Sequence, residues 1–299
     1  MRILALHGLG SSSSLLKEQL APFVRALGKE YQFKFLDGAI PCGRGPAPTN
    51  TESSQGVPAW ASGPFYSYAT GFTPAEMRQA LRHLDDFIKE HGPFDGVFGF
   101  SLGAALAITY MLDQQQKQAS APFCFAVMFS PIFIVSPDDN YCEQLLRRWL
   151  SDDYAVFRSK FPNGEFMTEL EDASERALAQ YLQQVLSMQS MGIGMILPNT
   201  NVDFLGTKRP EEIPRLVHPD LFDSRIKIPT VHVSGLSDSP YIGKQSGVAR
   251  DLCTPSIRRV HSHDGGHDVP FKISDVKAIV PSIKAMAEEG TQIRALYGL

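Results

Sequence analysis

Ser101, Asp238 and His267 are the residues whose types and order could together move an acyl group. A serine hydroxyl is a poor nucleophile near neutral pH. It needs a base to take its proton, and that base needs a carboxylate to fix its tautomer. Ser101 stands in Gly99-Phe100-Ser101-Leu102-Gly103, between the apolar run Phe94 to Phe98 and the helix-like run Ala104 to Met111. A strand that turns sharply into a helix strains its apex residue, and glycines two before and two after leave room for the turn. The pattern predicts a serine presented to solvent at the amino end of a helix. There, unpaired N–H groups and the helix dipole favour the negative charge of an acyl-transfer intermediate.

Of the eight histidines, His267 is placed best, in the loop His261-Ser262-His263-Asp264-Gly265-Gly266-His267-Asp268-Val269-Pro270. Gly265 and Gly266 let that loop close back over a sheet, and Val269-Pro270 restricts it afterwards. His261 and His263 are rivals in the same loop, and His261 is assigned to the end of a strand. A lone loop histidine is usually a solvated side chain; its coincidence with an elbow serine reverses that reading for His267. Asp238 follows the apolar run Pro229 to Ser234, with a local turn hydrogen bond as its alternative role. The order serine, aspartate, histidine is that of α/β-hydrolases, which hold the oxyanion with the N–H after the nucleophile and one from an earlier loop. Those donors are expected at Leu102 and Leu9, with Gly10 the alternative to Leu9 and His7 supporting the loop.

These residues need a scaffold that brings strand ends together. Strands are expected at Ile3 to His7, Tyr31 to Leu36, the run entering the elbow, Phe123 to Phe129, Pro229 to Ser234 and Ile257 to His261. Helical spacing recurs between most of them. Thr73-Pro74-Ala75-Glu76 is a capping box with proline at the first helical position, and that helix should stop near Gly92-Pro93. Thr168 to Glu171 reads as a second capping box, opening a helix to about Met191. The fold class is α/β: a six-stranded, mainly parallel sheet with helices on both faces and ligands outside the strands' carboxyl ends. Residues 1–299 are expected to form one domain. Within it, 132–227 is a largely helical cap or insertion and 37–72 a long loop near the pocket, too rich in Trp60, Phe65, Tyr66 and Tyr68 to be a solvated linker.

The net charge of −4 and the lack of a dense Lys/Arg run argue against a nucleic-acid partner. The amino-terminal apolar stretch is too short for a signal peptide, and no run reaches the length of a membrane span. Cys42, Cys124, Cys142 and Cys253 have no metal-ligand spacing and read as reduced thiols. A soluble, cytoplasmic protein with no cofactor and no metal is expected.

Leu6-His7-Gly8-Leu9-Gly10-Ser11, Gly99-Phe100-Ser101-Leu102-Gly103, Gly235-Leu236-Ser237-Asp238 and Gly265-Gly266-His267-Asp268-Val269-Pro270 together resemble the FSH family of small eukaryotic serine hydrolases, common in fungi. The resemblance covers nearly the whole chain. It implies an α/β-hydrolase fold lacking the first two strands of the larger form, with the family's catalytic serine, aspartate and histidine at Ser101, Asp238 and His267. The family's elbow commonly has Gln after the serine. Here it is Leu102, which should leave the backbone donor usable.

The family includes a trans-acting thioesterase that releases polyketides from carrier proteins. The resemblance therefore implies an acyl thioester or ester substrate, carrier-bound in the thioesterase case, and a place in secondary metabolism. Phe65, Tyr66, Met188, Met191 and Met195 are the candidate pocket residues, since flexible thioethers suit an adaptable apolar site. Arg147 and Arg148, or Lys208 and Arg209, are candidate contacts for an acidic carrier. A carboxylesterase, an acyltransferase with the same triad and a non-catalytic binding module stand as alternatives. Oligomeric state is not legible.

Overall fold

The structure is a computed structural model that describes residues 1–45, 57, 61–190, 205–206 and 209–297. In chain order its elements are β1 (Arg2–Leu6), α1 (Ser13–Leu27), β2 (Gln32–Leu36), β3 (Ile40–Pro41), β4 (Tyr66–Ser67), α2 (Pro74–His91), β5 (Gly96–Phe100), α3 (Leu102–Gln116) and β6 (Phe125–Phe129). There follow α4 (Glu143–Leu150), α5 (Ala155–Lys160), α6 (Ala173–Ser190), β7 (Thr230–Gly235), α7 (Pro240–Asp251), β8 (Arg258–His263) and α8 (Ile273–Tyr297).

Six of the strands form one sheet in the order β2-β1-β5-β6-β7-β8, and every neighbouring pair is parallel. Such a sheet is covered on both faces, which is why its inner strands β1, β5 and β6 read as continuous apolar runs. Successive side chains point to opposite faces. Ile3, Ala5, Phe98, Phe125, Val127 and Phe129 accordingly join a core with Leu20 and Phe23 of α1 and Ile279 and Ile283 of α8. Leu4, Leu6, Val97, Ala126 and Met128 join the opposite core, with α2, α3 and α7. The order also explains where a site can form. From β1 the chain moves outward to β2, then returns to β5 on the other side, so the loops after β1 and β5 diverge and leave a crevice between them.

The helix starts show where local chemistry decides. Thr73 caps α2 by accepting the Glu76 N–H, while Glu76 reaches back to the Thr73 amide at 2.9 Å, completing the expected box. The expectation at Thr168 is corrected: residues Gly164–Glu169 form a 3-10 turn, and the Thr168 hydroxyl donates to the Glu165 carbonyl instead. Asp172 opens α6, its Oδ1 accepting the amides of Ser174 and Glu175. A hydroxyl three residues before an acid is a cap only where the backbone between them is already helical. The segment 37–72, expected as a loop, contains a two-stranded antiparallel ribbon of β3 and β4.

Between β6 and β7 lie α4, α5 and α6, gathered around Trp149, Phe157 and Phe166, all fully buried. Arg215, also buried, fastens this segment: its guanidinium donates to the carbonyls of Pro210 and Asp139 and pairs with Glu143. Among the described residues, no helix is long and apolar enough to cross a membrane.

Candidate active site

Ser101 ends β5 and opens α3 with φ +53° and ψ −117°, a region that L-residues other than glycine rarely adopt. The turn is held from two sides. The Ser101 amide donates to the Phe129 carbonyl at 2.9 Å, and a Cβ at Gly103 would collide with the carbonyl oxygens of Leu6 and His7, so only glycine lets α3 approach β1 this closely. The serine is not open to solvent as its elbow suggested. It is only 6 % exposed, because His267 stands over its hydroxyl and Gly8 lies against its Cβ.

The Ser101 hydroxyl donates to His267 Nε2 at 2.8 Å, and His267 Nδ1–H donates to Asp238 Oδ2 at 2.9 Å. Asp238 Oδ1 accepts the Ser239 amide at 2.7 Å, so both carboxylate oxygens are engaged. The Asp238 side chain is buried, and the Phe100 ring stands 5.1 Å from the imidazole. This arrangement can pass the serine proton to the imidazole while the carboxylate holds the tautomer and stabilises the imidazolium.

Of the rival histidines, neither reaches the serine. His261 lies within β8, and its Nε2 meets the Ser282 hydroxyl of α8 at 2.9 Å. His263 ends β8 and accepts the Gly265 amide on Nδ1 at 3.1 Å. The acid and base loops are tied together directly: Leu236 N–H donates to the His263 carbonyl at 2.8 Å and Ser237 N–H to the Gly265 carbonyl at 3.0 Å. A Cβ at Gly235 would collide with the carbonyls of Gly265 and Gly266.

The loop after β1 brings Gly8 beside Ser101, and it separates the two candidates for the second oxyanion donor. The Gly10 amide is already given to the Tyr66 carbonyl at 3.1 Å. Leu102 occupies the first turn of α3, where amides have no acceptor within the helix. His7 is fully buried and makes two bonds: Nδ1–H donates to the Gly8 carbonyl at 2.7 Å, and Nε2 accepts the Gly38 amide at 3.0 Å. Burial lowers its pKa to about 4, against smaller opposing effects of the Gly8 carbonyl and Asp37, so near neutral pH it is an uncharged brace.

Tyr68, prominent in sequence only as one aromatic of a long loop, proves to be part of the same brace. Its hydroxyl accepts the His7 amide at 2.8 Å and donates to the Leu36 carbonyl at 3.1 Å.

Of the expected pocket residues, the described ones are placed through their backbones. Tyr66 binds the β1 loop through its backbone, exchanging bonds with Gly10 and Ser11, while Phe65 accepts the Cys42 amide through its carbonyl. The backbone of Met188 belongs to α6; Trp60, Met191 and Met195 lie outside the described residues. The basic pairs answer acids of the chain itself: Arg147 meets Glu143 at 2.6 Å, Arg148 pairs with Glu175, and Arg209 meets Glu212 at 3.0 Å. Lys208 lies outside the described residues. All four cysteines are free thiols, and no group of three or more His, Cys, Asp or Glu among the described residues could hold a metal ion.

Fold and site define a serine hydrolase of the α/β-hydrolase class. Residues 1–279 match the serine hydrolase (FSH1) family, and the chain belongs to it. It is 34 % identical to Esterase alnB of Emericella nidulans over 277 residues, 93 % of each chain. It is 27 % identical to Serine hydrolase cnsH of Penicillium expansum, covering 76 % of this chain and 91 % of that one. With Hydrolase FUB4 of Fusarium oxysporum the identity is 26 %, over 90 % and 92 % of the two chains. Among solved structures, esterase PE8 aligns over 95 % of this chain and 92 % of its own at 16 % identity, with a TM-score of 0.48.

Proposed function

We propose that the chain cleaves an acyl ester or thioester through an acyl-enzyme, with a polyketide-like acyl chain on a carrier protein as its native substrate. The observation that carries the hydrolytic reading is the 2.8 Å bond from the Ser101 hydroxyl to His267 Nε2, made by a serine held at positive φ.

Ser101 Oγ attacks the acyl carbonyl carbon while His267 Nε2 takes its proton, and Asp238 steadies the imidazolium. The oxyanion rests on the amides of Leu102 and Leu9. Collapse expels the thiolate or alkoxide, which leaves with the proton from His267. Water then adds to the acyl-enzyme, giving its proton to His267; the second collapse returns that proton to Ser101 and frees the acid.

The preference for a thioester rests on the family resemblance. In this reading residues 1–299 act as one cytoplasmic domain, 132–227 cap the site with Met188, Met191 and Met195 on the acyl chain, and residues 37–72, with Phe65 and Tyr66, border it. A second reading, a carboxylesterase on a small ester, is favoured by the name of Esterase alnB. Steady-state kinetics on acyl N-acetylcysteamine thioesters and p-nitrophenyl esters of matched chain length separate the two. Higher kcat/KM on long thioesters is expected. A preference for short oxygen esters would replace the thioesterase reading with the second one, and no turnover of either kind would overturn both.

A further inference from the structure

The loop that carries His267 is folded by a histidine for which hydrolysis has no use. His263 is buried at the end of β8, and its Nδ1 accepts the Gly265 amide at 3.1 Å. A bond from a side chain to the amide two residues onward is the geometry with which Asn or Asp makes an Asx turn. It bends the chain as it leaves the sheet and sets Gly265 and Gly266 against Gly235. The Gly265 carbonyl then receives the Ser237 amide at 3.0 Å, while the Ser237 hydroxyl donates to the Asp264 carbonyl at 3.0 Å. Ser237 precedes Asp238 in the chain and Gly266 precedes His267. The Ser237–Gly265 bond therefore ties the two loops one residue before Asp238 and two before His267.

The bond to Gly265 uses the Nδ1 lone pair, so the ring proton sits on Nε2. That atom is buried and has no hydrogen-bond partner among the described residues. A buried unpartnered N–H opposes stability, whereas an apolar side chain of similar size would not. Asp268, buried on the other side of His267, places Oδ1 3.8 Å from His263 Nδ1, beyond hydrogen-bond reach, and its amide donates to the Gly266 carbonyl at 3.0 Å.

We infer that His263 is a positioning residue for the base: by holding the Gly265 amide it folds the loop of His267 onto the loop of Asp238 and sets the distance between imidazole and carboxylate. The inference rests on His267 acting as the base.

The test compares the parent chain with His263→Leu, His263→Asn and Ser101→Ala. The readouts are the rate of fluorophosphonate labelling, kcat and KM on p-nitrophenyl butyrate, and the thermal unfolding temperature. Leucine keeps apolar volume and removes the acceptor; asparagine keeps an oxygen that reaches the same amide. A misplaced catalytic group costs on the order of 10- to 100-fold, and that loss is expected in the labelling rate and kcat of His263→Leu. Its KM should stay within about twofold, the size of change left by intact ground-state binding, and its unfolding temperature at or above the parent's. His263→Asn should recover most of the rate. Parental rates in His263→Leu overturn this inference alone. So do equal losses in both variants with lowered unfolding temperatures, which would assign His263 to packing. A Ser101→Ala protein that labels like the parent overturns the reading of the site, and this inference falls with it.

Discussion

His7 Nδ1–H donates to the Gly8 carbonyl at 2.7 Å, and that one bond sets the direction of an amide two residues further on. A trans peptide is planar, with its C=O and N–H pointing opposite ways, so fixing the Gly8 carbonyl also aims the Leu9 N–H. Gly8 itself lies against Ser101. Loss of an oxyanion donor costs about 10²- to 10³-fold in kcat, and a merely misdirected one less. His7→Leu should therefore lower kcat by about 10- to 100-fold with little change in KM, read from steady-state kinetics on a p-nitrophenyl ester. A raised KM at unchanged kcat would show that His7 serves substrate binding instead.

Asp238→Asn keeps the shape of the acid but leaves the imidazole free to adopt the wrong tautomer. A loss on the order of 10⁴-fold in kcat is expected, with the fold intact by circular dichroism. A loss below tenfold would mean that another carboxylate orients His267.

His232 is buried in β7, where its Nδ1 has no hydrogen-bond partner among the described residues, and burial, with smaller contributions from Arg258 and Arg250, lowers its pKa to about 3. Because the unfolded chain binds a proton near pH 6.5 and the folded one does not, this residue opposes folding increasingly as pH falls from about 6.5 towards 3. Stability should drop by several kcal/mol over that window, at about 1.4 kcal/mol per pH unit from this group. His232→Leu should flatten the pH dependence of unfolding free energy measured in urea, while leaving kcat at pH 8 unchanged. An undiminished slope would assign the acid sensitivity to other groups.

Arg215 is buried with its donors on the carbonyls of Pro210 and Asp139 and on Glu143. Removing one member of such an arrangement leaves the others buried and unanswered. Arg215→Ala should cost about 3–5 kcal/mol in urea unfolding. A cost under 1 kcal/mol would show that water replaces the guanidinium freely.

Much of this was legible because it is local. The elbow glycines around Ser101 and the Thr73–Glu76 box each state their geometry within five residues, and the continuous apolar runs of β1, β5 and β6 announce a sheet covered on both faces. What distance in sequence hides is which partner each group finds. Nothing near Thr168 reveals that the backbone there closes a 3-10 turn, so that Asp172 caps α6. Arg148 looks like free surface charge until Glu175, on another helix, is placed beside it. Leu9 was the first candidate in sequence and Gly10 its alternative; only the approach of Tyr66, more than fifty residues on, shows that the Gly10 amide is occupied. The same holds for His263, whose role is visible only once Gly265 folds back over it.

The central claim is that Ser101 carries the acyl group. Intact-protein mass spectrometry of the parent and Ser101→Ala, mixed with acyl N-acetylcysteamine thioesters and p-nitrophenyl esters, tests it most directly. The parent should gain the mass of one acyl group, or release acid, and Ser101→Ala should do neither. An adduct of equal yield on Ser101→Ala, or a folded parent that acquires none and releases no acid, would contradict the account.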